Sequence, residues 1–230
     1  MQGKLYGLGV GPGDPELLTL KALRLIRENE VIAVPGNDIY ASVAYQIVKG
    51  VYDKLDSKHL IPVAMPMTKD KAVLEANHQK AAEDVENYLK QGKNVVFLTL
   101  GDPTVYSTYL YVHKRILDKG YEVEIVSGIT SFCAVAARLN MGLVEMAEPL
   151  HVIPATYKAE EMDEILALPG TKVLMKTGKK MKEVKESIQR SNQKAVMIEN
   201  CGMPEEKIYK SAEEIPESAG YYSLIIVKEQ

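Results

Sequence analysis

Apolar runs and amphipathic stretches alternate along the chain. The segment 4–10 (KLYGLGV) is a short apolar run that ends in glycines, and 31–36 (VIAVPG) is a second one. Between them, Leu17, Leu18, Leu20, Leu23, Leu25 and Ile26 recur at helical spacing and predict a helix over 15–28. Asp14 followed by Pro15 is its start signal, an N-cap and a first-turn proline. The pattern predicts further helices over 37–50, 70–91, 105–118 and 130–139, with Gly50 and Gly92 as stops. It predicts strands over 59–66, 94–100 and 121–127; the prolines of the first suit an irregular or edge strand. After a linker-like stretch, 141–150, strand patterns recur in HVIPA, TKVLMKT, KAVMIEN and YYSLIIV. Helices separate the first three, and the turn-rich EEIPESAG precedes the last. Such alternation predicts an α/β fold in two domains, 1–144 and 145–230. The first has a largely parallel sheet. The second is mixed, with its last strand a candidate for antiparallel pairing.

Composition narrows the classes. Hydrophobic residues make up 46% and charged residues 26%, which excludes disorder and collagen. Lys plus Arg number 28 against 31 Asp plus Glu, with no basic stripe, so no nucleic-acid partner is expected. The most basic stretch, KTGKKMKEVKE (176–186), reads as a solvated helix face. No apolar run approaches the roughly 18 residues of a membrane span, and MQGKLYGLGV is no signal peptide, so a cytoplasmic protein is expected. Cys133 and Cys201 lie far apart and read as reduced thiols. The four histidines (His59, His78, His113, His151) are scattered, and no metal site is expected.

Three glycine-bearing turns follow predicted strands, where open α/β sheets bind ligands. The first, 7–15 (GLGVGPGDP), fails the dinucleotide fingerprint because Pro12 stands where a glycine is required. It also lacks the Gly-Lys-Ser/Thr of a P-loop. What it offers is bare backbone beside a helix start, or simply a tight turn. The second, 98–109 (LTLGDPTVYSTY), brings Gly101 and the Asp102 carboxylate to a strand end, with Tyr106 and Tyr109 on one helix face. Capping explains Asp102 and Pro103 but not the Tyr-Ser-Thr-Tyr cluster. The third, 126–132 (VSGITSF), sets Thr130 and Ser131 at a helix start, as caps or as ligand contacts.

GVGPGDPELLTLKA (9–22), FLTLGDPTVYST (97–108) and SGITSF (127–132) together resemble the tetrapyrrole methylase family, and the likeness runs through essentially the whole chain. Tyr106-Ser107-Thr108, Thr130-Ser131-Phe132 and Met65-Pro66-Met67 are most similar to the subgroup that methylates C20 of precorrin-2 or cobalt-factor II in cobalamin biosynthesis. Ser127 stands where the family usually has proline, and Met65 where an aromatic is more usual. The resemblance implies two α/β domains with S-adenosylmethionine in the cleft between them, a small-molecule tetrapyrrole substrate, and a homodimer. It implies a cofactor site formed by Pro12, Gly101, Asp102, Val105 and Tyr106, polar contacts from Thr130 and Ser131, and second-domain contributions from Lys176 and Ser223. Asp102 and Tyr106 are candidates to help remove a proton after methyl transfer; no base is assigned. Other readings are methylation at another ring carbon, a diphthamide-pathway methyltransferase, and a non-catalytic S-adenosylmethionine sensor. Arg24, Arg27, Lys114, Arg115 and Arg138 are available to a polycarboxylate substrate, though each also reads as a surface charge.

Overall fold

The computed structural model describes residues 2–66, 68 and 70–229. Met67, part of the Met-Pro-Met motif, lies outside the described residues. The chain divides into two compact units, Met1–Thr130 and Ser131–Gln230.

The first unit is a five-stranded sheet of β1 (Leu5–Gly9), β2 (Val31–Pro35), β3 (His59–Val63), β4 (Val95–Thr99) and β5 (Val123–Val126). Its order is β3-β2-β4-β1-β5, and every pairing is parallel. Helices α1 (Leu20–Glu28), α2 (Val43–Val51), α3 (Lys71–Lys90) and α4 (Tyr109–Asp118) connect the strands. β1, β2 and β4 are covered on both faces, so they read as largely apolar runs rather than alternating ones. On β4, Val95 and Phe97 join a core with Val85 and Leu89 of α3 and Val112 and Ile116 of α4. Val96 and Leu98 join the opposite core with Ile26 of α1 and Ile47 and Val48 of α2. β3 is an edge strand, where its proline removes no ladder bond that the sheet needs.

Three predicted helices start late. The 37–50 segment becomes helical only at Val43, and α2 runs through the expected stop, Gly50, to Val51. The 15–28 segment splits into a 3₁₀ turn, Pro15–Leu17, and α1. Asp14 accepts from the Glu16 N–H at 2.9 Å and caps only the turn, while Thr19 offers a second cap to Ala22 at 3.2 Å. Leu20 is consequently 87% exposed rather than core. The 105–118 segment becomes helical only at Tyr109, because Tyr106 adopts φ +49° and Ser107 Oγ accepts from the Tyr109 N–H at 3.2 Å. Tyr106 and Tyr109 therefore do not share a helix face.

The second unit contains α5 (Ser131–Arg138), β6 (Leu150–Pro154), α6 (Met162–Leu166), β7 (Thr171–Met175), α7 (Met181–Ser191), β8 (Lys194–Glu199), β9 (Lys207–Tyr209) and β10 (Ser223–Lys228). Its sheet order is β6-β7-β10-β8-β9. β6 and β7 run parallel, and the last strand pairs antiparallel with both β7 and β8. β9, unforeseen in the pattern, is three residues long and sits at the edge. Packing divides the chain at 130/131, ahead of the 144/145 boundary expected from the pattern. The reason is α5, which buries Val135 and Ala136 with Val173, Ile198, Leu224 and Ile226. The basic stretch 176–186 leads into α7, which buries Met181, Val184 and Ile188 and pairs Lys180 with Glu183 at 2.9 Å on the wet side.

One charge cluster pins β5 to its neighbours. Glu124 bonds Lys4 at 2.8 Å and Lys21 at 2.7 Å. Hydrogen bonds from Lys21 and Lys4 hold its carboxyl at about 2. A lowered folded-state value stabilises the fold above the ordinary glutamate range, and this is lost as pH falls toward 2. Glu124→Gln is expected to cost about 1 kcal/mol at pH 7. The difference from wild type should shrink in urea titrations run at progressively lower pH.

Candidate functional site

β4 and β1 are neighbours whose crossovers leave in opposite directions: β1 leads to β2 on one side, and β4 leads to β5 on the other. A crevice opens at the carboxyl ends of two such strands. The turns 10–15 and 100–108 emerge there, and β5 delivers 127–130 beside them.

Four glycines make this junction possible. Gly11 and Gly101 form an antiparallel bridge, N–H to carbonyl in both directions at 2.8 and 3.3 Å. A Cβ on Gly9 would lie 2.5 Å from Gly128 N and 2.6 Å from Gly101 O. One on Gly128 would lie 2.2 Å from Gly101 O. Backbone therefore packs on backbone across three successive turns. Gly101 itself, at φ +71°, has only Ile129 O near its missing Cβ, at 3.9 Å. Gly101 is buried, yet beside its Cα there is room that no side chain fills.

Asp102 locks the second turn to the third. Its Oδ1 accepts from the Thr104 N–H at 2.8 Å and the Thr104 hydroxyl at 2.5 Å, and its Oδ2 accepts from the Gly128 N–H at 3.0 Å. Burial works to raise its pKa, but bonds from Thr104, Gly128 and the Ser127 hydroxyl outweigh burial and hold the carboxyl below the ordinary aspartate value. Ser127, which replaces the family's usual proline, thus supplies one of the donors.

Pro12 is buried, Val105 half-buried, and Tyr106 47% exposed. Tyr109 is a core residue: its ring lies 5.3 Å from Phe97, covers Gly7, and its hydroxyl meets His113 Nδ1 at 3.1 Å. Tyr111 stacks on His78 with centroids 4.3 Å apart. Tyr109 and Tyr111 therefore have partners within the protein that the sequence did not reveal.

Among the described residues, two buried side-chain polar atoms have no hydrogen-bond partner, Thr99 Oγ1 and Thr130 Oγ1. Both lie where strands β4 and β5 give way to the glycine-bearing turns. Thr130 was foreseen; Thr99 was not, because in sequence it is an ordinary strand residue. Orphaned hydroxyls beside a bare-backbone turn suit a ligand rich in polar atoms, and S-adenosylmethionine is such a ligand.

In the second unit, Ser131 is the first residue of α5. Lys176 follows β7 at φ +56°, and its carbonyl accepts the Thr156 hydroxyl. Ser223 opens β10, its hydroxyl 2.8 Å from that of Thr177 and donating to Gly220 O at 2.9 Å. Lys176 and Ser223 thus lie at the same end of the neighbouring strands β7 and β10, because Leu224 pairs with Met175. Of the cationic candidates, Arg24 pairs with Glu28, Arg115 with Glu75 and Arg138 with Glu206, and Arg27 lies over the Tyr52 ring. Cys133 and Cys201 form no disulfide. Among the described residues no helix is long and apolar enough to cross a membrane.

Known proteins resemble the chain over nearly its whole length. Residues 4–216 match the family of tetrapyrrole (corrin/porphyrin) methylases. The chain is 37% identical, over 98% of its length and 96% of the relative's, to the Methanocaldococcus jannaschii protein named "Probable cobalt-precorrin-2 C(20)-methyltransferase". It is 32% identical to the cobalt-precorrin-2 C(20)-methyltransferase of Salmonella typhimurium, over 100% of this chain and 98% of that one. The fold matches uroporphyrin-III C-methyl transferase from Thermus thermophilus complexed with S-adenyl homocysteine, at a TM-score of 0.71 and 22% identity, covering 99% and 98% of the two chains. By its sequence match over nearly its whole length and by its two-sheet α/β architecture, the chain belongs to the tetrapyrrole methylase family.

Proposed function

We propose that this protein transfers a methyl group from S-adenosylmethionine to the C20 meso carbon of precorrin-2 or cobalt-factor II in cobalamin biosynthesis. The observation that carries this reading is end-to-end identity of 37% and 32% with two relatives named for C20 methylation of cobalt-precorrin-2. The cofactor supplies an electrophilic methyl group. The chain's task is then alignment and exclusion of water rather than nucleophilic attack by a side chain. Pro12, Gly101, Val105 and Tyr106 form the cofactor site with Thr130. In the second unit, Ser131, Lys176 and Ser223 are the cofactor-contact candidates by family likeness. Asp102 serves by positioning: its oxygens are taken up by Thr104, Gly128 and Ser127, and its depressed pKa makes it a poor base. The Tyr106 phenol, half-exposed on the turn, is the remaining candidate for proton handling. By family likeness the protein works as a cytoplasmic homodimer.

Incubation with precorrin-2 and, separately, cobalt-factor II, each with methyl-labelled cofactor, tests the assignment. Label is expected at C20 with at least one substrate. Label at another ring carbon, or on neither, overturns it.

A further inference from the structure

We infer that Thr99, the last residue of β4, is a cofactor-contact residue whose hydroxyl is completed by a polar atom of bound S-adenosylmethionine. The inference rests on the cofactor reading above. The pleat places Thr99 on the same face as Val95 and Phe97, one step beyond that core and at the strand's exit. Its register partner is Gly9, which has no side chain to offer. The nearby carboxylate of Asp102 is already engaged by Thr104 and Gly128. Thr99 is 7% exposed, and its Oγ1 has less than 1 Å² open to water and no partner.

A buried hydroxyl without a partner destabilises a fold, and valine would fill the same volume in a strand without that cost. Among the described residues such orphans occur twice, at Thr99 and Thr130, and both flank the Gly9–Gly101–Gly128 junction. Two unrelated packing defects would not be expected to converge there. The segment 101–108, which follows Thr99, contains neither helix nor extended strand and includes positive-φ residues at Gly101 and Tyr106.

Thr99→Val and Thr99→Ser separate the possibilities, with thermal unfolding of the free protein and S-adenosylhomocysteine titration by calorimetry as readouts. The valine variant is expected to melt higher than wild type when free and to bind S-adenosylhomocysteine about fivefold more weakly. The serine variant, which keeps the hydroxyl, should bind within about twofold of wild type. A valine variant that melts lower when free has lost a partner already present in the protein, and overturns the inference. So does one that binds as wild type does, the result expected if an internal water alone satisfies the hydroxyl; the cofactor reading then stands. Failure of the wild-type protein to bind S-adenosylhomocysteine overturns both.

Discussion

Gly128→Ala is expected to destabilise the protein by about 3 kcal/mol, at the upper end of overpacking costs. The new Cβ would sit 2.2 Å from Gly101 O and 2.8 Å from the Cα and carbonyl carbon of Gly9. All of these are backbone atoms, so no rotamer change can relieve the clash. Relief requires the β5 turn to withdraw from the β1 and β4 turns. That movement strains the Gly128 N–H bond to Asp102 and opens the junction proposed to hold the cofactor. Stability and S-adenosylhomocysteine affinity should therefore fall together. Gly120→Ala is the control. Gly120 has φ +82° but nothing within 4 Å of its missing Cβ, so alanine there incurs only left-handed backbone strain of about 1–2 kcal/mol. Urea titrations of both variants check this, and equal losses would show that steric closure of the junction is unimportant.

The second large effect is expected at Asp102. Asp102→Ala removes the buried carboxylate that accepts from the Thr104 and Gly128 N–H groups and two hydroxyls in a part-buried turn. A charged acceptor serving several donors should be worth about 3 kcal/mol. S-adenosylhomocysteine binding should weaken more than about tenfold, because the turns that carry Gly101 and Thr130 lose their common tie. Asp102→Asn should be milder, retaining one acceptor oxygen. The pH dependence distinguishes charge from shape. The folded-state pKa of Asp102 is lowered, so its stabilisation is complete above the ordinary aspartate range and lost as pH falls through the folded value. The gap between wild type and Asp102→Asn should therefore close in acid. A gap that stays constant from neutral pH into acid would mean that the charge contributes nothing.

Much of the layout was legible in the chain. The inner strands of the first unit are buried on both faces, so their apolar runs stand out without any knowledge of their neighbours, as 94–100 does for β4. Gly-Asp-Pro and Gly-Ile-Thr mark strand exits because few other residues tolerate those turns. The failures share one cause. Where two local signals compete, only packing decides between them: Asp14 and Thr19 are both good caps, and Thr19 starts α1. Likewise the helical pattern at 105–118 yields to Tyr106 in the left-handed region, and β9 forms because β8 presents an edge rather than through any pattern of its own.

The candidate site divides along the same line. The sequence by itself determined which residue types stand at the strand exits: Pro12, Gly101, Asp102, Tyr106, Thr130 and Ser131 follow from turn chemistry and family likeness. The tertiary structure alone decided what each does. It made Asp102 a latch by bringing Gly128 within 3.0 Å, 26 residues away in the chain. It made Tyr109 core and left Thr99 with an unsatisfied hydroxyl. Turn and strand preferences are local, set by backbone dihedrals over a few residues. Whether a polar group is satisfied depends on atoms from other strands, and the parallel crossovers bring those together only when the sheet is complete.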